Sequence, residues 1–280
     1  MDAVPSFVIV GHVTLDVVGD DLVAGGTATY AGRMARNLGE TVGVVTSARV
    51  DFDFASALPG IKVVNCPSKE TTTFENRYVD GRRAQYIRAV ADPISGKDVP
   101  IDWRKARTAL FAPLANEVNA DVGSTFIGTL CAATPQGWLR RWGTDGLVVS
   151  EGWEALVDRL SQLDAVILSE DDVRRDAVTI DRLRQAIRLL VVTRGSRGSI
   201  LYENGFPFEF APFLATEIDP TGAGDVFAAA FLVDFSRRGD ARHACTFANC
   251  AASFAVEAVG ADGVPTIEQI EHRLRENQRG

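Results

Sequence analysis

Basic runs are missing from this chain: 29 Lys and Arg stand against 37 Asp and Glu in 280 residues, a formal net charge of −8. That balance leaves no electrostatic footprint for nucleic acid. No apolar stretch approaches the roughly 20 residues of a membrane-spanning helix, so no membrane partner is expected. The N-terminus enters Phe7-Val8-Ile9-Val10 almost at once. That run is too short for a signal-peptide core, and a cytoplasmic protein is the expectation. Cysteine is scarce, and Cys66, Cys131, Cys245 and Cys250 show no metal-type pairing. Cys245 and Cys250 fall in small, apolar company and read as buried free thiols, which suits a reducing compartment. There is no internal repeat, no low-complexity segment, no Pro/Gly/Ser-rich linker and no Gly-Lys-Ser/Thr ending of a P-loop.

What is present supports a large core, since 46% of the residues are hydrophobic and the length suits one α/β domain spanning 1–280. Short apolar runs at 7–10, 42–46, 109–112, 126–129, 165–169 and 189–193 predict buried parallel strands. Between them lie helical patterns at 28–38, 152–163, 181–187, 225–238 and 241–258. Such alternation predicts a three-layer α/β/α domain around a mainly parallel sheet. Residues 71–91 read instead as a hairpin with one wet face, turning at Gly81-Arg82, and a second strand pair is expected within about 12–25. Together these predict a small β-sheet lid on the α/β body.

The stretch Asp219-Pro220-Thr221-Gly222-Ala223-Gly224-Asp225-Val226-Phe227 carries the most chemical information. A turn of small residues, which lets backbone approach a ligand closely, runs into an apolar helix-forming segment. The first N–H groups of that helix point outward with the positive end of its dipole. This makes an anion site, phosphate above all. An acid there would repel a bound phosphate, so Asp225 needs a purpose, and taking the proton of an attacking hydroxyl is one. A bare Gly-x-Gly with an acid behind it would equally suit an ordinary helix start.

The full string resembles the C-terminal signature of the PfkB-type carbohydrate kinases, the ribokinase-like family. The resemblance implies Gly222, Ala223 and Gly224 as anion-hole residues and Asp225 as the catalytic base. Other pieces follow in family order from Gly11 to about Pro265. The segment Gly25-Gly26-Thr27-Ala28-Thr29-Tyr30 is similar to the first sugar-binding signature, with Tyr30 where Asn is usual. That exchange points away from a strict ribokinase and towards the branch with inositol-kinase-like proteins. Asp16 matches the acid that holds substrate hydroxyls, and a carboxylate accepts two such hydrogen bonds. The 71–91 hairpin resembles the family lid, which excludes water, with Asn76, Arg83 and Gln85 as candidate substrate contacts. Ser169 and Asp172 occupy the slots of an Asn-x-x-Glu motif, so Asp172 is expected to hold Mg²⁺ through water. Thr193, Gly195 and Gly198 resemble a loop contacting nucleotide phosphates, and Asn249 matches a residue beside the adenine pocket. Asp219 and Thr221 are compatible with the K⁺ site of some relatives.

The resemblance thus implies a ribokinase-like fold and an ATP-dependent kinase acting on a hydroxyl of a small sugar or cyclitol, myo-inositol ahead of ribose. Two rivals stay open. One is a nucleoside kinase of the same family, with Tyr30, Phe74 and Tyr78 available for stacking. The other is a non-catalytic polyol- or nucleotide-binding protein on the same scaffold, motivated by the substituted slots. The edges of the lid sheet would allow pairing into a homodimer.

Overall fold

The run Phe7-Val8-Ile9-Val10 forms β1 (Phe7–Val10), buried along its whole length in a computed structural model that describes residues 4–79, 82–154 and 156–277. An apolar strand without alternation belongs inside a sheet covered on both faces. The chain next leaves the body for β2 (Thr14–Val18) and β3 (Asp21–Gly25), and α1 (Thr27–Asn37) brings it back to β4 (Val42–Ala48). A one-turn α2 (Phe54–Ala57) and β5 (Lys62–Pro67) precede the hairpin of β6 (Thr72–Val79) and β7 (Arg82–Ala89). Then come β8 (Thr108–Phe111), β9 (Leu130–Ala133) and the short pair β10 (Arg140–Trp142) and β11 (Val148–Ser150). The rest runs through α3 (Val157–Leu160), β12 (Ala165–Ser169), α4 (Ala177–Ala186), β13 (Leu189–Thr193), β14 (Ser199–Glu203) and β15 (Phe206–Phe210). Helices α5 (Ala223–Arg238), α6 (Ala241–Ala255) and α7 (Ile267–Asn277) close it.

Nine strands form one sheet in the order β15-β14-β13-β12-β9-β8-β1-β4-β5. Pairing is parallel from β5 to β13 and antiparallel only at β14 and β15. Successive residues of each inner strand feed opposite cores. Ile9, Val44, Leu110 and Val191 pack with Met34 of α1 and Phe227 and Phe231 of α5. Val8, Val10, Val45, Phe111 and Val192 pack with Leu160, Leu183 and Trp138 on the other face. Cys245 and Cys250 are buried free thiols, as expected. The chain runs from β1 to β4 and β5 on one side, then resumes at β8 on the other, so strand order reverses at β1. In open α/β sheets ligands bind beyond the strand C-termini at such a switch point.

The expected second sheet has the order β3-β2-β6-β7. Cross-strand partners share a face, so Asp16, Val23, Phe74 and Ile87 lie on one side, with Asn76 and Gln85 two residues further along. Phe74 and Ile87 pack with Leu114 and Ala115 of the body. This is therefore the face turned to the strand ends of the main sheet. The Gly81-Arg82 turn and the Arg83 side chain lie outside the described residues.

Three sequence expectations change. The strand expected at 126–129 begins at Leu130, because Phe126 ends a 3₁₀ turn and sends only its ring into the core, 5.7 Å from Phe111. Of the helix expected over 152–163, α3 is the one α-helical turn, although Trp153 and Leu160 are buried as the pattern required. The helix expected at 181–187 starts earlier, at Ala177, where the Asp176 carboxylate accepts from the Val178 and Thr179 N–H groups and caps it.

Candidate active site

Asp225 sits in the first turn of α5, beyond the C-terminal ends of the central strands. The Gly222 N-cap is left-handed, with φ 78°, a conformation that favours glycine. A Cβ there would also strike the Tyr30 ring. The Ala223 N–H turns back to Pro220 O at 3.3 Å, and Val226 N–H bonds Gly222 O at 2.9 Å. The amides left to face an anion at the helix end are those of Gly224 and Asp225. Gly222 supplies the turn, and the Ala223 N–H is occupied by it.

The Gly25-Gly26-Thr27 turn reaches this point from 198 residues away in sequence: Thr27 Oγ1 donates to Asp225 Oδ1 at 2.7 Å. Gly25 ends β3 beside Asp16, whose carboxylate fills the space a Cβ would need, and Gly26 caps α1. Asp16 lies on the inner lid face, and its charge is felt at Asp225. The two acids are thus brought to one cleft. Burial pushes the Asp225 carboxyl up to about 6, with Asp172 and Asp16 adding to the rise and the Thr27 hydrogen bond and Arg140 opposing it. Such a group is a base near neutral pH that still holds a captured proton well.

Tyr30 is only 4% exposed, and its ring packs under Gly222. Burial, then the charges of Asp16, Asp219 and Asp225, raise its hydroxyl pKa. Its place is as a floor beneath the Gly222 turn. On the lid, Gln85 Nε2 donates to Asn76 Oδ1 at 3.2 Å, and the pair faces the cleft.

A second group of expected site residues lies at the ends of β12 and β13. Ser169 N–H donates to Asp172 Oδ2 at 2.8 Å, and Gln136 Nε2 to Asp172 Oδ1 at 2.9 Å. Burial raises the Asp172 carboxyl. Among the described residues no group of three or more His, Cys, Asp and Glu side chains could hold a metal directly. A hydrated Mg²⁺ nonetheless suits the hard oxygens of a buried carboxylate, which has lone pairs left to accept from metal-bound water. Thr193 ends β13, and Gly195 and Gly198 shape the turn after it with φ 56° and 80°. The loop cations are turned to acids: Arg194 pairs with Glu209 at 3.2 Å, and Arg197 with Glu170. Asn249 is buried in α6, where its amide donates to Ser199 Oγ at 3.0 Å and ties α6 to β14. Asp219 accepts from Thr221 N at 3.0 Å and Gly260 N at 3.4 Å, fixing the approach to α5.

Four residues in or beside the cleft had no place in the sequence reading as site residues. Thr27 stood inside a quoted motif without a role. Arg140, Gln136 and Glu117 carry no sequence signal for the cleft, because the contacts that bring them to it, with Phe74, Asp172 and His12, come from distant segments. Glu117 is buried and accepts from His12 N at 3.0 Å, Leu114 N at 2.9 Å and Ala115 N at 2.6 Å. It pins the turn after β1 to the turn after β8.

Known proteins resemble this chain in sequence and in fold. Residues 154–267 match the sequence pattern described as pfkB family carbohydrate kinase. The chain is 29% identical to an inositol 3-kinase of Zea mays over 273 residues and 30% identical to that of Oryza sativa subsp. japonica over 276. These alignments cover 89% and 90% of this chain but 69% and 66% of the plant enzymes, so it spans about two thirds of their length. A pyrophosphate-dependent kinase in the ribokinase family, complexed with a pyrophosphate analog and myo-inositol, superposes with TM-score 0.76 at 24% identity, covering 93% of this chain and 100% of that one. Arabidopsis thaliana ribokinase complexed with ribose and ATP gives TM-score 0.76 at 19% identity, covering 98% and 99%. No helix of the described residues is long and apolar enough to cross a membrane. With the fold, the order of its motifs and these similarities in agreement, the chain belongs to the pfkB family of carbohydrate kinases.

Proposed function

We propose that the protein transfers the terminal phosphoryl group of ATP to a hydroxyl of a cyclitol or small sugar, with myo-inositol the leading acceptor. The observation that carries this reading is the 2.7 Å bond from Thr27, on the acceptor turn, to Asp225 at the positive end of α5. Thr27 holds Oδ1 and leaves Oδ2 to take a proton. Asp16 and the Asn76–Gln85 pair would hold the other acceptor hydroxyls. As the acceptor oxygen attacks, its O–H proton passes to Asp225 and its new bond to phosphorus forms. The bond from phosphorus to the bridging oxygen breaks, and its electron pair leaves on the departing phosphate. The Gly224 and Asp225 amides and the α5 dipole stabilise charge on the transferring group. Mg²⁺, held by Asp172 through water, would neutralise donor phosphate charge.

The preference for myo-inositol rests on the plant relatives and on Tyr30 filling the usual Asn position. The donor has a second reading. Asn249 is hydrogen-bonded to Ser199 inside the fold, and a similar structure binds a pyrophosphate analog, which favours testing pyrophosphate beside ATP.

Each donor is assayed against myo-inositol, ribose, fructose, 2-keto-3-deoxygluconate and adenosine. Turnover on adenosine alone would select the nucleoside-kinase rival. Saturable binding without turnover would select the non-catalytic one. On the best pair, Asp225→Asn is expected to fold normally and lose about 10²–10⁴-fold in kcat. Near wild-type turnover by that variant would remove Asp225 from the role of base.

A further inference from the structure

We propose that Arg140 is a second catalytic residue, the protein's own cation on the transferring phosphoryl group. This rests on the kinase reading above. Arg140 opens β10, well upstream of the 154–267 family match. Its guanidinium is held by groups from separate segments. Nη1 donates to Leu114 O at 3.0 Å, at the turn beyond β8, and Nη2 donates to Gln136 Oε1 at 2.6 Å. Its carbon centre stands 5.2 Å from the centroid of the Phe74 ring on the inner lid face. Gln136 in turn donates to Asp172 on the donor side. One side chain is thus fastened to the body, the lid and the donor-side acid.

Its charge acts on the two acids that flank the phosphoryl path, Asp172 and Asp225. Among the described residues, Asp16 from β2 and Thr27 and Tyr30 from α1 also stand near Asp225. None of those three is cationic, and the donor-loop arginines are paired with Glu209 and Glu170. A donor bringing several negative charges between Asp172 and Asp225 would meet repulsion from both, and Arg140 is placed to offset it. A planar guanidinium suits the task, because it spreads charge and offers paired N–H donors to phosphoryl oxygens. It would act by binding the equatorial oxygens while the bonds to phosphorus exchange, and would transfer no proton itself.

The location also couples chemistry to closure. Gly146, in the β10–β11 loop, accepts from Ile87 N of the lid at 2.9 Å, and Trp142 and Val148 pack on the Phe74–Ile87 cluster. Lid and guanidinium therefore belong to one packed unit. A lid seated in this way over an acceptor would hold the cation against the same cleft.

The test uses the full chain with Arg140→Lys and Arg140→Ala, saturating myo-inositol, and ATP or pyrophosphate as donor. We expect kcat to fall about 10²–10³-fold in Arg140→Ala, with Arg140→Lys intermediate. The acceptor KM should stay within about threefold. Added guanidinium chloride should restore part of kcat in Arg140→Ala and none in Asp225→Asn. The acid limb of kcat/KM should move to higher pH in Arg140→Ala, because a charge that lowers the Asp225 pKa has gone. Calorimetric titration with pyrophosphate, which needs no acceptor, should show about tenfold weaker binding by Arg140→Ala. A kcat within about twofold of wild type with a raised acceptor KM would overturn the proposal and place Arg140 on the acceptor. Lost activity with neither guanidinium rescue nor a shifted acid limb would overturn it in favour of a structural role. An active Asp225→Asn would instead strike the underlying kinase reading, whatever Arg140 does.

Discussion

To act as the proposed base Asp225 must be ionised, yet it is held where ionisation is disfavoured. Its carboxyl is raised to about 6, first by burial. The acid limb of kcat/KM in the free enzyme should therefore fall near pH 6, with activity dropping about tenfold per pH unit below it. A limb near the ordinary carboxylate range, about pH 4, would show that burial does not tune this group. The same shift acts on stability. The folded pKa lies above the unfolded one, so the folded state binds the proton more tightly, and stability is lost as pH rises from about 4 to about 6. Above pH 6 the whole penalty is present. Asp225→Asn should then melt higher than wild type at about pH 7.5, and the gap should close as pH falls to about 4. Thermal unfolding across that range checks it, and a variant that melts lower throughout would contradict it.

At the scale of elements, the N-terminus of α5 decides the site. Its small residues keep the turn narrow, and Phe227 and Phe231 anchor the helix in the core shared with α1. Gly222 meets two demands at once, a φ of 78° and a surface against the Tyr30 ring. Gly222→Ala is expected to cost about 1–3 kcal/mol from backbone strain, before the clash is counted. It should also misplace the Gly224 and Asp225 amides. Denaturant unfolding together with kcat tests this: wild-type stability with wild-type turnover would mean that the turn tolerates a Cβ and that Tyr30 is not its floor.

On the scale of the whole molecule, the lid and body meet at His12. Its Nε2 faces Asp92 O at 3.0 Å, an acceptor only, so Nε2 carries the hydrogen. Nδ1 then accepts from the Thr72 hydroxyl at 2.7 Å, while Ala91 N–H donates to that hydroxyl oxygen at 3.0 Å. One buried imidazole thus ties the chain leaving β1 to both the entry and the exit of the β6–β7 hairpin. Thr72→Val removes two of these bonds without much change in volume. It should speed amide hydrogen exchange across 72–89 and raise the acceptor KM, leaving exchange in β1, β8 and β12 unaltered. Unchanged exchange in the hairpin would show that the hinge draws its rigidity elsewhere.

Much of this was readable in the sequence because it is local. Uninterrupted apolar runs marked β1, β12 and β13, since a strand covered on both faces has no polar side to show. The Gly222–Asp225 string marked the helix end and its acid, since turn, dipole and carboxylate all lie within one helical turn. The antiparallel pair β14–β15 was missed because it has no uninterrupted apolar run: in Phe206-Pro207-Phe208-Glu209-Phe210 the rings alternate with Pro and Glu and stay partly exposed. What only the tertiary structure decided is which distant groups stand around Asp225. Thr27 reaches it across the whole chain, Tyr30 turns inward beneath Gly222, and Arg140 arrives from the β9–β10 connection carrying Gln136 and the lid with it. The sequence by itself determined the fold class and where along the chain an acid meets a helix end. The packing of α1, the lid and β10 over that acid set its charge environment, because electrostatic coupling depends on distance in space and not on separation along the chain.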